Sequence, residues 1–186
     1  MEKTETMNSE ELKEKFFEAA SDGDVEEVKD ILRMNPNLDV NWKNGEDGLT
    51  VLHRACDKDH DAIVSILLAH PAIDVNAKDT RANTPFLGAC FHGSTSCARL
   101  LLGDSKVLIN EPNSTDHYPL YWASSEGHLD VIRWWIASER EIHFGTYFAD
   151  AINEASAEGK TLLRSYKWIP MVTSRQVRKA LGINGQ

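Results

Sequence analysis

An all-α solenoid of stacked helix–turn–helix units is the fold class that this sequence predicts, and three observations carry the prediction. The first is an internal repeat. Stretches beginning at Thr50, Thr84 and Tyr118 align at a spacing of 34 positions. Alanines fall at Ala55, Ala89 and Ala123, followed by small residues at Cys56, Cys90 and Ser124. Apolar pairs recur at Ile63–Val64, Cys97–Ala98 and Val131–Ile132, then at Leu67–Leu68, Leu101–Leu102 and Trp135–Ile136. The second observation is periodicity: apolar positions within each unit recur every three or four residues, which puts them on one helical face. The third is punctuation. The segments between units, NWKNGEDG, NAKDTRAN and NEPNSTDH, are rich in the Asn, Asp, Gly and Pro that turns require. A unit of this size cannot bury its apolar face alone, so neighbours must stack.

Taken in order, residues 1–11 read as a flexible acidic N-terminus, and Asn8 or Ser9 is placed to cap the first helix beside a run of glutamates. A degenerate first unit, 12–43, keeps Ala19–Ala20, Gly23, Val28 and Ile31–Leu32, with Pro36 in a loop two residues longer than the others. The three regular units are 44–78, 79–113 and 114–148. A degenerate cap follows at 149–170, keeping Ile152, Ala155 and Gly159, which makes about five repeats including the terminal caps. The last segment, 171–186, reads as a short basic helix over Thr173–Gly182 and a tail. Atypical ends are expected, because a terminal repeat turns one face to water.

The pattern resembles the ankyrin repeat: T-P-L-H, then a pair of alanines, then G-H, then two apolar pairs. It is carried by Thr84–Pro85–Phe86, Leu52–His53, Gly127–His128 and the DVNAK of Asp74–Lys78. The resemblance covers roughly residues 10–170, closely in the middle and loosely at both ends. It implies a helix, a turn, an antiparallel helix and an outward β-hairpin per unit, with His53 and His60 as structural histidines near helix starts. It also implies Asn76, in its Asp74–Val75 context, as a hydroxylation position, beside a plain turn-stabilising role. One departure stands out: His53 gives way to Leu87 and Tyr121 in the next two units, and Thr50 to Tyr118 in the fourth, so the hydrogen bonding of the T-P-L-H turn is incomplete there.

Composition narrows the function class. The chain has 186 residues, 41% hydrophobic and 26% charged, as ordinary globular proteins have, and no apolar run long enough to span a bilayer. Its net charge is −9, unevenly spread: residues 1–48 hold 14 acids and 6 bases, residues 49–148 hold 12 and 8, and residues 149–186 hold 3 and 6. Such an acidic N-terminal end disfavours nucleic acid and favours a basic partner surface, besides keeping a terminal repeat soluble. The N-terminus lacks the features of a secretory signal and Cys56, Cys90 and Cys97 are too few for a disulfide framework, so the cytoplasm is the expected compartment, with the nucleus as the second choice.

Several motif fragments are discounted. Glu154–Thr161 ends like a phosphate-binding loop, but Glu154 stands where a glycine is required. Cys90, His92 and Cys97, or His53, Cys56 and His60, do not supply four ligands at zinc-site spacings, and each has a place in the repeat. No catalytic constellation stands apart from the repeat, so neither enzyme activity, cofactor, metal nor small-molecule substrate is expected. The expectation is a monomeric scaffold or adaptor that binds another protein; the alternative is a chaperone or inhibitor that masks a basic client through the acidic N-terminal repeats.

In the ankyrin family partners lie on the concave face formed by loop tips and first helices. Carried over position by position, this implies Glu46, Asp47, Leu49, Asp57 and Lys58 in the second unit, and Thr80, Arg81, Asn83, Phe91 and His92 in the third. The fourth contributes Ser114, Thr115, His117, Trp122, Ser125 and Glu126; Ser21 and Asp22 are the first unit's equivalents. Phe91 falls at an exposed groove position, while Trp122 has groove and packing readings of equal standing. Trp134 and Trp135 lie at core positions of a second helix, and Trp42 has both a loop-tip and a loop-covering reading.

Overall fold

The structure, a computed structural model, describes residues 8–143, 145, 148–168 and 170–183. Within them the chain is all-helical, with no strand. Four helix pairs come first: α1 (Ser9–Asp22) with α2 (Val25–Met34), α3 (Val51–Asp57) with α4 (Asp61–Leu68), α5 (Pro85–His92) with α6 (Thr95–Gly103), and α7 (Pro119–Ser125) with α8 (Leu129–Ala137). Then follow α9 (Phe148–Glu154), α10 (Ala157–Trp168) and α11 (Pro170–Ala180). The first helices α1, α3, α5, α7 and α9 stack in one row, and α2, α4, α6 and α8 in another.

Local chemistry sets the helix starts. The Asn8 side chain accepts from the Glu10 and Glu11 amides at 3.0 and 2.9 Å, and Glu11 returns the bond by accepting from the Asn8 amide. This capping box starts α1 at Ser9, inside the segment assigned from sequence to the N-terminus; residues 1–7 lie outside the described residues. Thr50 and Thr84 cap α3 and α5, each accepting from the backbone amide three residues on. Tyr118 gives α7 no side-chain cap, but Pro119 at its first position has no amide to satisfy.

The core runs the length of the stack: Phe16, Ile31, Leu52, Ile63, Leu67, Phe86, Leu101, Leu120, Ile132, Trp135 and Ile136 are essentially inaccessible to solvent. Each such side chain contributes roughly 1.5–3 kcal/mol by leaving water. Trp135 meets Phe86 edge to face at 5.0 Å, joining the third and fourth units. Trp134 is partly buried, with the Arg99 guanidinium 5.3 Å from its ring centre. Trp42 lies against Phe17 at 6.3 Å. The cysteines are free and buried, Cys56 and Cys90 at the small-residue position and Cys97 in the core.

The connectors are not the β-hairpins that the resemblance implies. Each is a turn closed by two backbone bonds: the amides of Asn44, Asp79 and Asn113 donate to the carbonyls of Leu49, Asn83 and His117, and their own carbonyls accept from Gly48, Ala82 and Asp116. The chain passes at once into the cap of the next helix, which leaves no extended residues to pair. Neighbouring turns are linked in turn, Thr80 amide to Asp47 carbonyl at 2.9 Å and Ser114 amide to Arg81 carbonyl at 2.8 Å.

Three residues before each turn, one asparagine spans to the next repeat with both halves of its amide. Asn41 donates to Ala72 O and accepts from Asp74 N; Asn76 does the same with Lys106 O and Leu108 N, and Asn110 with Glu141 O and His143 N. Asn76 is thus one rung of a ladder.

The C-terminal end departs from the regular stack. Helix α9 continues the first row on α7, α10 packs on α9 and α11, and α11 lies on α8, where a further second helix belongs. Ser174 Oγ donates to Ile136 O at 3.2 Å, and Arg178 donates to Ala137 O at 2.8 Å, satisfying carbonyls at the end of α8. The basic C-terminal helix is therefore a packed cap, and Gly182, at φ +70°, ends it.

Candidate protein-binding groove

The first helices and the turns enclose a cavity of about 480 Å³ across the second, third and fourth units. Its lining includes eleven of the residues placed on the concave face from sequence: Asp47, Leu49, Asp57, Thr80, Arg81, Asn83, Phe91, His92, Ser114, Thr115 and Trp122. Glu46, Lys58, His117, Ser125 and Glu126 lie outside that lining. His53, Asp79, Leu87, Gly88 and Asn113 line it without having been singled out for binding.

The hollow has a specific origin. Arg54, Gly88 and Trp122 occupy one position in three successive first helices, at a spacing of 34. Gly88 leaves that column empty in the middle repeat, and the Asp57 carboxylate moves into the space, its Oδ1 only 2.6 Å from where a Cβ on residue 88 would stand. A glycine inside a first helix, flanked in its column by large side chains, was the sequence signal for the cavity.

One wall is aromatic. Phe91, 37% exposed, meets Trp122 edge to face at 5.0 Å and His92 at 4.9 Å. Trp122 in turn lies 5.2 Å from Tyr121 and 5.5 Å from His117, so five rings form a continuous strip along the third and fourth units. Trp122 packs on Phe91 of the preceding unit and on two rings of its own, and it lines the cavity. Its buried indole Nε1 has no acceptor among the described residues.

The lining also carries acids. Asp57 faces His92 at 3.8 Å, too long for a hydrogen bond, and only 16% of its side chain is exposed. Burial pushes its carboxyl above the ordinary carboxylate range, against the opposing pull of His92 and Arg54. Asp79 shapes the third turn, where its Oδ1 accepts from the Arg81 and Asn83 amides at 2.8 Å and its Oδ2 from the Asn83 side chain. Asn113 does likewise for the fourth turn, accepting from the Thr115 and His117 amides at 3.1 Å. These residues hold the turns where the T-P-L-H bonding is incomplete.

The floor is set by His53. The Thr50 amide can only donate, so Nδ1, at 3.2 Å, accepts; Nε2 then carries the proton and donates to Asn83 O at 3.0 Å. The ring is neutral, and burial lowers its pKa from 6.5. His60 and His128 bind the preceding repeat in a second way, donating from Nε2 to Ser21 O and Phe91 O. No group of three or more His, Cys, Asp or Glu able to hold a metal exists among the described residues.

The family model for ankyrin repeats matches residues 16–113 in three copies. The chain belongs to the ankyrin-repeat family. Its ankyrin repeats are 34% identical to SMC5-SMC6 complex localization factor protein 1 of Homo sapiens over 84 residues, 45% of this chain and 8% of that protein. They are 29% identical to a probable E3 ubiquitin-protein ligase of Oryza sativa subsp. japonica over 120 residues, 64% of this chain and 24% of that one. Rabankyrin-5 of Mus musculus is 33% identical over 125 residues, 67% of this chain and 10% of its own length. The match thus spans less than a quarter of each of these larger proteins. Ankyrin repeats are generally protein–protein interaction modules, and no helix among the described residues is long and apolar enough to cross a membrane.

Proposed function

We propose that this chain is a non-catalytic adaptor that seats a partner protein on its concave face, in the groove between Asp57 and the Phe91–Trp122 pair. The observation that carries the reading is the cavity itself. It gathers aromatic side chains, turn-tip polar groups and carboxylates on one surface, and aromatic residues in such concavities commonly carry most of the binding energy of an interface. The name of one relative, a localization factor for a complex, is in keeping with a role in association. The groove's three aspartates, Asp47, Asp57 and Asp79, favour a basic partner.

The test is affinity capture from native cell extract by wild type and by Phe91→Ala/Trp122→Ala, read by mass spectrometry. A partner retained by the first and lost by the second is the expected result. Phe91→Ala alone changes stability by only about 1 kcal/mol, whereas Leu67→Ala, a core truncation, costs roughly 2–5 kcal/mol and serves as the folding control. Equal retention by both forms moves the interface to the acidic N-terminal repeats and supports a protein that masks a basic client there.

A further inference from the structure

The hollow at Gly88 is more selective than a general binding face. We propose that it is a subsite for one lysine or arginine side chain of an extended partner segment, with the aliphatic stem along Phe91 and Trp122 and the cationic head on Asp57. This rests on the groove being the partner surface.

Three observations converge on that occupant. Gly88 opens room in the column of Arg54 and Trp122, and the carboxylate of Asp57 projects into that room. The lining offers two kinds of surface, aromatic at Phe91–Trp122 and anionic at Asp57, and a long side chain with an apolar stem and a charged end matches both. Charge decides the rest. Among the lining residues Asp47, Asp57 and Asp79 oppose Arg81 alone, and His92 is charged only when protonated.

Competing occupants fail on the same grounds. A purely apolar side chain would seal off a carboxylate that has no close cation of its own, His92 standing at 3.8 Å and charged only when protonated. An acidic side chain would be repelled. The segment must be extended, because the turn tips at Thr80–Arg81 and Ser114–Thr115 line the groove on one side and the first helices on the other.

The experiment is selection from a display library of randomised twelve-residue peptides on the wild-type chain, followed by affinities for the best peptide. Selected peptides are expected to share a Lys or Arg at one position. Replacing it by norleucine in the peptide, or Asp57→Asn in the protein, is expected to weaken binding about tenfold or more. In Asp57→Asn, checked for folding by circular dichroism, the norleucine change then has little further effect. Selection of peptides without a basic position overturns the subsite while leaving the groove as a peptide-binding face. Undiminished binding to Asp57→Asn, or independent effects of the two changes, overturns it as well. If no peptide is selected, an extended basic segment is not the occupant, and the capture experiment with Phe91→Ala/Trp122→Ala decides separately whether the groove binds a protein at all.

Discussion

At the scale of single residues, His53 shows how one side chain ties a helix cap to the neighbouring repeat. Its Nδ1 accepts from Thr50 and its Nε2 donates to Asn83 O, so a proton added at Nδ1 would set a donor against a donor. Burial holds the folded-state pKa below the unfolded 6.5. Between those two values the unfolded chain binds more protons, so stability rises with pH. The contribution is fully present above pH 6.5 and is lost as pH falls from there through the folded-state value. His53→Gln should cost roughly 1–3 kcal/mol at pH 7.5, the magnitude for a buried network left incomplete. In urea denaturation the gap between the two proteins should narrow at pH 5; a constant gap would show that His53 titrates alike in both states. Asp57 carries the opposite sign. Its raised carboxyl pKa means that the folded state gains nothing from ionisation, so Asp57→Asn should hold or raise the melting temperature at pH 7.

At the scale of elements, the joints between repeats follow one design with an instructive exception. Gly23 and Gly93 end their first helices at φ +77° and +71°, and the histidine of the following repeat packs directly over each, His60 over Gly23 and His128 over Gly93. A Cβ on residue 93 would come within 2.3 Å of the His128 ring, whereas one on Gly127 meets nothing within 4 Å. Gly127→Ala should therefore cost only the left-handed backbone strain, about 1–2 kcal/mol. Gly93→Ala should cost more, because the ring and its bond to Phe91 O must also shift; equal losses in thermal melts would remove the histidine from the account. The exception is the second joint. There Asp59 takes the glycine position at φ 56°, Ser94 replaces the histidine, and the Asp59 carboxylate accepts from the Cys97 amide at 2.9 Å. A side-chain cap stands in for a ring packed on glycine.

At the scale of the whole molecule, each repeat leans on its neighbours, so the ends decide how much of the stack is dry. At the C-terminal end α11 does that work, placing Ser174 and Val177 in buried positions and using Arg178 to meet Ala137 O. A chain ending at residue 168 should lose at least about 2 kcal/mol in urea denaturation, on the scale of one or two buried side chains returned to water. Spectra of Trp134 and Trp135, which lie on the helix that α11 covers, should report the change first. An unchanged midpoint would mean that α11 adds nothing to the stability of the stack.

The sequence by itself determined the repeat length, the helix pairs and the buried columns. All of these are written in short-range periodicity and turn chemistry, and the regular units keep both; the concave-face residues came instead from the family resemblance. The core places of the three cysteines were readable too, and the first cap was narrowed to Asn8 or Ser9, of which the structure uses Asn8. Tertiary structure decided the rest. That Gly88 leaves a hollow, that Asp57 enters it and that Phe91 meets Trp122 depend on side chains about 30 residues apart in the chain coming into contact when repeats stack. The same is true of the asparagine ladder, of turns too short to form strands, and of α11 in place of a regular second helix. A repeat pattern fixes which positions face each other; the space between them is fixed only when the particular side chains meet.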